Sequence, residues 1–121
     1  MKRIVILSFL LALLIGCAEA QSITRVKNST LGACPLKSVG ELVDKFFGSP
    51  SWDNQPYLRD ELVTLKGSVR YGNRSAKVEL RFVLGQEKNI GVNSMTIDGV
   101  IQTRDKIDEL LNMMCAASSR R

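Results

Sequence analysis

Three cysteines, twelve carboxylates and no histidine set the chemistry open to this 121-residue chain. Histidine is the usual proton shuttle and a common metal ligand near neutral pH, so its absence removes the simplest routes to an activated Ser or Cys nucleophile and to a zinc site. The cysteines stand at 17, 34 and 115 with no CxxC pair, which argues against thioredoxin-type redox chemistry. The acids add little. Asp44, Asp108 and Glu109 fall on the outer faces of predicted helices, and Asp53, Asp60 and Glu61 have no spacing that requires them to converge. There is no GxSxG, no glycine-rich phosphate loop and no metal-ligand cluster. The chain therefore reads as non-enzymatic, with no cofactor and no metal.

What the cysteines can do is crosslink. Met1-Lys2-Arg3 precedes an apolar run over residues 4–15 broken only by Ser8, the layout of an export signal and shorter than the roughly 20 residues a membrane-spanning helix needs. The stretch LIGCAEAQ, residues 14–21, offers two cleavage points: before Cys17, leaving a signal of 1–16, or after Ala20, leaving 1–20. Either one takes Cys17 out of the thiol pool. Cys34 and Cys115 then remain as one pair in a compartment that favours oxidation. A Cys34–Cys115 disulfide closes a loop of about 80 residues, worth about 4 kcal/mol on chain-entropy accounting.

Leu14, Ile15, Gly16 and Cys17 resemble the lipobox of bacterial lipoproteins. The resemblance covers the first 17 residues and implies a diacylglyceryl group on Cys17, hence a lipid anchor in the membrane. Ala18, with no aspartate at that position, resembles outer-membrane-destined members and implies a domain facing the periplasm. A soluble periplasmic or secreted protein is the alternative.

The elements that must hold these cysteines can be read from periodicity. Residues 17–33 are polar and small without a sustained period, as in a flexible tether, and the domain is expected over 34–117 with a frayed tail at 118–121. Ser38 to Glu41 form a capping box, and Val39, Leu42, Val43, Phe46 and Phe47 keep helical spacing. Gly48 is expected to supply a left-handed stop before Pro50. Residues 49–60, with two prolines and the single tryptophan, read as a loop. From Glu61 the period becomes two: Val63, Leu65, Val69 and Tyr71 inward, then Ala76, Val78, Leu80, Phe82 and Leu84 inward on a second strand. A third strand over 90–97 changes phase between Val92 and Met95, which predicts a bulge. Asp98-Gly99 predicts a hairpin into a short strand at 100–102, and Thr103 caps a last helix through Ile107, Leu110, Leu111, Met114 and Cys115. The fold class is α+β: an antiparallel meander of three or four strands with an N-terminal and a C-terminal helix on one face, in the order α-β-β-β(-β)-α.

Two surfaces follow. The outward phases of the first two long strands carry Lys66, Arg70, Lys77 and Arg81, a patch able to meet an acidic partner or anionic lipid. Trp52, Tyr57 and Leu58 offer aromatic and apolar anchors for a protein, or Trp52 folds back to seal the core. The chain has 17 basic against 12 acidic residues, two of the bases lying in the first three positions, so the remainder carries +3. That is too mild for a nucleic-acid-binding protein. The expected function is a cell-envelope lipoprotein that binds another envelope protein as an assembly, secretion or stability factor. The alternatives are an inhibitor or immunity protein that blocks an enzyme or toxin, and a lipid- or glycan-binding module. Alkylation under non-reducing conditions should leave both Cys34 and Cys115 unmodified in the exported protein, and a mass spectrum shows this directly.

Overall fold

Ser38 ends one element and starts the next, and the fold can be built outward from it. A computed structural model describes residues 19–85 and 90–119; the signal segment 1–16, Cys17 and the tail beyond 119 lie outside the described residues. The order is α1 (Gln21–Asn28), β1 (Thr30–Leu31), β2 (Cys34–Ser38), α2 (Val39–Phe46), β3 (Gly48–Tyr57), β4 (Asp60–Tyr71), β5 (Arg74–Leu84), β6 (Val92–Ile97), β7 (Val100–Ile101) and α3 (Arg104–Ser119). The Ser38 hydroxyl accepts the Glu41 amide at 3.3 Å and donates to the Glu41 carboxylate at 3.3 Å. The expected return bond to the Ser38 amide is replaced by one to its hydroxyl, since Ser38 is also the last residue of β2, opposite Thr30.

The class is α+β, with five strands in the main sheet and three helices. Strand order β3-β4-β5-β6-β7 follows the chain and every pair is antiparallel. β1 and β2 form a separate two-stranded ladder. The inward phases expected for β4 and β5 are those found: Val63, Leu65, Val69, Val78, Leu80 and Phe82 are buried in one cluster with Leu42, Val43, Ile107, Leu110 and Met114 from the helices. On β6, Arg81 faces Ser94 while Phe82 faces Val92, so Asn93 is the extra residue of the expected irregularity. Asp98 and Gly99 turn the β6-β7 hairpin with φ of +50° and +84°.

Four expectations are corrected. Within the expected tether 17–33, the described residues 19–33 are folded: α1 buries Ser22, Ile23 and Val26, and Leu31 on β1 is buried as well, so ordered structure begins well before Cys34. Only two apolar residues in eight gave α1 no readable period, and its packing on α2, β3 and β4 decides its structure. Residues 49–60 are not a loop. β3 runs beside β4 as far as the closing pair Tyr57–Asp60, and its prolines are tolerated because it is an edge strand, where a nitrogen without hydrogen can face away from the ladder. Gly48 is not left-handed; Phe47 ends α2 in extended backbone, and Gly48 is small because a Cβ there would lie 2.5 Å from the Ser68 hydroxyl. Ser118 does not fray, since it is buried, donates to the Cys115 carbonyl at 2.8 Å, and accepts from Lys37 Nζ at 3.2 Å through its own carbonyl.

The Cys34–Cys115 disulfide is present, with Cα atoms 5.7 Å apart across 81 residues of sequence. It ties β2 to the last turns of α3. Gly67, in the middle of β4, lets the helical layer come down onto the sheet: a Cβ there would meet the Phe47 ring at 2.8 Å and the Gly48 carbonyl at 3.2 Å. Phe47 is itself buried and the carbonyl is backbone, so neither can step aside cheaply. Gly67→Ala should destabilise the domain by about 1–3 kcal/mol, typical of an overpacked core, and lower the melting temperature in a thermal scan.

Candidate functional site

Among the described residues all three helices lie on one side of the sheet and none covers its other face, where Leu62 is nonetheless buried between Gln55 and Val83. The residues that point outward there follow from register: Ser51, Asp53, Gln55 and Tyr57 on β3, Thr64, Lys66, Ser68 and Arg70 on β4, Lys77, Glu79 and Arg81 on β5, Ser94 and Thr96 on β6. The four expected bases are thus on one surface. Lys66 stands opposite Glu79 and Lys77 opposite Ser68.

Electrostatics divide the four bases into two pairs. Glu79 takes Lys66 at 3.6 Å and also the Arg81 guanidinium, which further donates to Ser94 Oγ at 3.4 Å. Among the described residues, the side chains of Arg70 and Lys77 have no ion-pair partner. The backbone of Lys77 is fixed by Asp98, whose carboxylate accepts the Lys77 amide at 2.9 Å and whose own amide donates to the Lys77 carbonyl at 2.8 Å. Asp98 also holds Arg74 at 3.0 Å. One turn aspartate thus sets where Lys77 leaves the sheet.

Between these bases runs a groove of about 460 Å³, walled by Lys66, Lys77 and Glu79 and floored by Ser51, Ser68 and Thr96. Ser49 and Gly99 close its ends. Ser49 has φ +49°, beside the register shift between Gly48 and Ser51 that widens the start of β3. The groove offers two ammonium groups and a row of hydroxyls over a β-sheet floor. Such a lining suits an extended segment rich in carboxylates or other acceptors. It contains no paired nucleophile and base, and among the described residues no group of three His, Cys, Asp or Glu converges as a metal site.

The aromatic and apolar candidates do not line this groove. Trp52 points to the helical side, opposite Leu65, where it stacks on Phe82 with centroids 6.3 Å apart and 26° between planes. Lys27 of α1 sits over its ring at 5.5 Å, a cation–π contact. Tyr57 and Leu58 instead occupy the tip of the β3-β4 hairpin, with Leu58 92% exposed. The hydroxyl floor escaped the sequence reading. Ser68 and Thr96 could have been found from the outward phase of their strands, but Ser49 and Ser51 lay in a segment read as loop.

The titration shifts lie away from the groove. Lys27, hydrogen-bonded to Glu19, holds that carboxyl below the usual range. Burial pushes the Tyr71 phenol up, with the Glu109 carboxylate adding to the effect.

No protein-family model matches the chain, and no curated protein or solved structure shows significant similarity to it. Function must be argued from the residues. For Trp52 the stacking on Phe82 gives a definite expectation: Trp52→Ala should cost about 2–3 kcal/mol of stability, for a large ring partly removed from water. A melting temperature close to that of the parent, together with loss of partner binding, would reassign Trp52 to an interface.

Proposed function

We propose that the chain is a non-enzymatic cell-envelope lipoprotein whose bare sheet face binds an acidic, extended segment of another envelope protein. The observation that carries the binding role is the groove between Lys66 and Lys77, where the Lys77 ammonium, without an ion-pair partner among the described residues, lies beside hydroxyl donors on a sheet face that no described helix covers. A structural role alone would not require the helices to leave that whole face open. Antiparallel sheets do tolerate a solvated face. This one, however, combines a groove with four bases against the single Glu79 among them, so a net positive charge remains at Arg70 and Lys77.

The lipoprotein half of the reading is supported by the residues just after Cys17. The Ala20 carbonyl accepts the Thr24 amide at 3.1 Å, and Glu19 pairs with Lys27 and accepts from the Thr24 hydroxyl at 3.0 Å. Cleavage after Ala20 would remove these contacts and leave a free ammonium at Gln21, at the positive end of α1. Cleavage before Cys17 keeps them. The inhibitor alternative loses its most direct device, because residues 49–57 are bound along an edge strand and do not form a free plugging loop.

Lys66→Glu with Lys77→Glu reverses the groove without touching the core. Used as bait from envelope extracts, the full-length double variant should recover the parent's principal partner at least tenfold less, with unchanged circular dichroism and only a small fall in melting temperature from the lost Lys66–Glu79 pair. Undiminished recovery would sink the groove as the binding site.

A further inference from the structure

The segment expected to be a tether is instead folded, and this fixes which end of the domain faces the anchor. On the reading that Cys17 carries the lipid, three residues lie between it and Gln21, the first residue of α1; the four Cα–Cα steps reach at most about 14 Å. The body therefore cannot swing free of the bilayer.

The β3-β4 hairpin tip lies at the same end. Gln21, Ser22 and Arg25 of α1 and Arg59, Asp60 and Glu61 of the hairpin line one shallow cavity of about 280 Å³. At the tip, Leu58 is 92% exposed, and its φ is +56°. Glycine or asparagine suits that turn position, whereas leucine is unfavourable there twice over, for its backbone and for its exposed side chain. Tyr57 precedes it, 42% exposed, and Arg59 follows. An aromatic, an aliphatic and a basic residue in sequence form the usual composition of a segment that enters the interfacial layer of a bilayer. Of the charged residues that line this cavity, Arg25 and Arg59 are exposed, while Asp60 and Glu61 are half-buried.

We infer that the Tyr57-Leu58-Arg59 tip inserts into the membrane interface beside the lipid on Cys17, giving the domain a second point of attachment. Two contacts fix orientation where one lipid cannot. β3 and β4 then rise from the membrane, and the groove, which meets β4 at Lys66 to Ser68, stands roughly 25 Å along the strand from Leu58, above the surface and open to a partner. The apolar pair at the opposite edge of the sheet, Val100 and Ile101, is exposed at 62% and 73% and serves as an internal reference.

The test uses the full chain matured from its own signal, reconstituted in phosphatidylethanolamine–phosphatidylglycerol vesicles that contain a photoreactive lipid. After illumination and trypsin digestion, label is expected on the peptide ending at Arg59 at least fivefold above the peptide carrying Val100 and Ile101. Leu58→Asp should bring the two to the same level. The mass of the N-terminal peptide, read in the same digest, separates the two claims. Acyl chains on Cys17 with equal labelling of both peptides overturn the insertion of the tip and leave Leu58 to a protein partner. An unmodified N-terminus overturns the lipoprotein reading, and the insertion with it.

Discussion

The disulfide between Cys34 and Cys115 is the constraint on which the arrangement of the helical layer depends. Among the described residues, three helices of eight, eight and sixteen residues must together cover one face of a five-stranded sheet. Helices this short are marginal in isolation and take their stability from the apolar surface they bury. The bond joins the strand that leads into α2 to the end of α3, so the first and last parts of the domain hold each other on the sheet. Lys37 and Ser118 add a hydrogen bond at the same junction. With the helices held there, Leu42, Val43, Ile107, Leu110 and Met114 can close over Leu65, Leu80 and Phe82.

One-sided coverage is what gives the molecule a usable surface. With all the helices on one layer, the outward phases of four strands lie together, and the side chains that would be scattered on a sandwich become a continuous polar field. Glu79 neutralises part of it, through Lys66 and Arg81, and leaves Arg70 and Lys77 without ion-pair partners among the described residues. Asp98 holds the backbone of Lys77 in place. The result is a groove whose floor is β-sheet and whose walls are the long side chains of Lys66, Lys77 and Glu79, a combination that fixes direction along the strands.

Much of this was legible from the chain itself, and the exceptions have physical causes. The β4 and β5 phases, the bulge at Asn93, the Asp98-Gly99 hairpin, the Ser38 cap and the cysteine pair are local signals, each readable within a few residues or from simple counting. α1 was missed because Gln21 to Asn28 offers two apolar residues and gains its order from neighbours distant in sequence. β3 was missed because Pro50 and Pro56 signal loop everywhere except on the edge of a sheet, and edge position is a property of the assembled fold. The same error hid the β3 side of the candidate groove. Lys66, Arg70, Lys77 and Arg81 were found together because they share a strand phase; Ser49 and Ser51 could be joined to them only through the β3-β4 register.

The meander has a consequence for how the molecule comes into being. Every pairing in the five-stranded sheet links strands that follow one another in the chain, so each can close by a short turn or connection without waiting for a distant segment. The disulfide is the opposite case, joining residues 81 apart. The sheet can therefore form first and serve as the template on which two far-separated thiols meet. Oxidation then records a geometry already chosen, and with no other cysteine left between residues 18 and 121 there is no wrong partner for either sulfur to find.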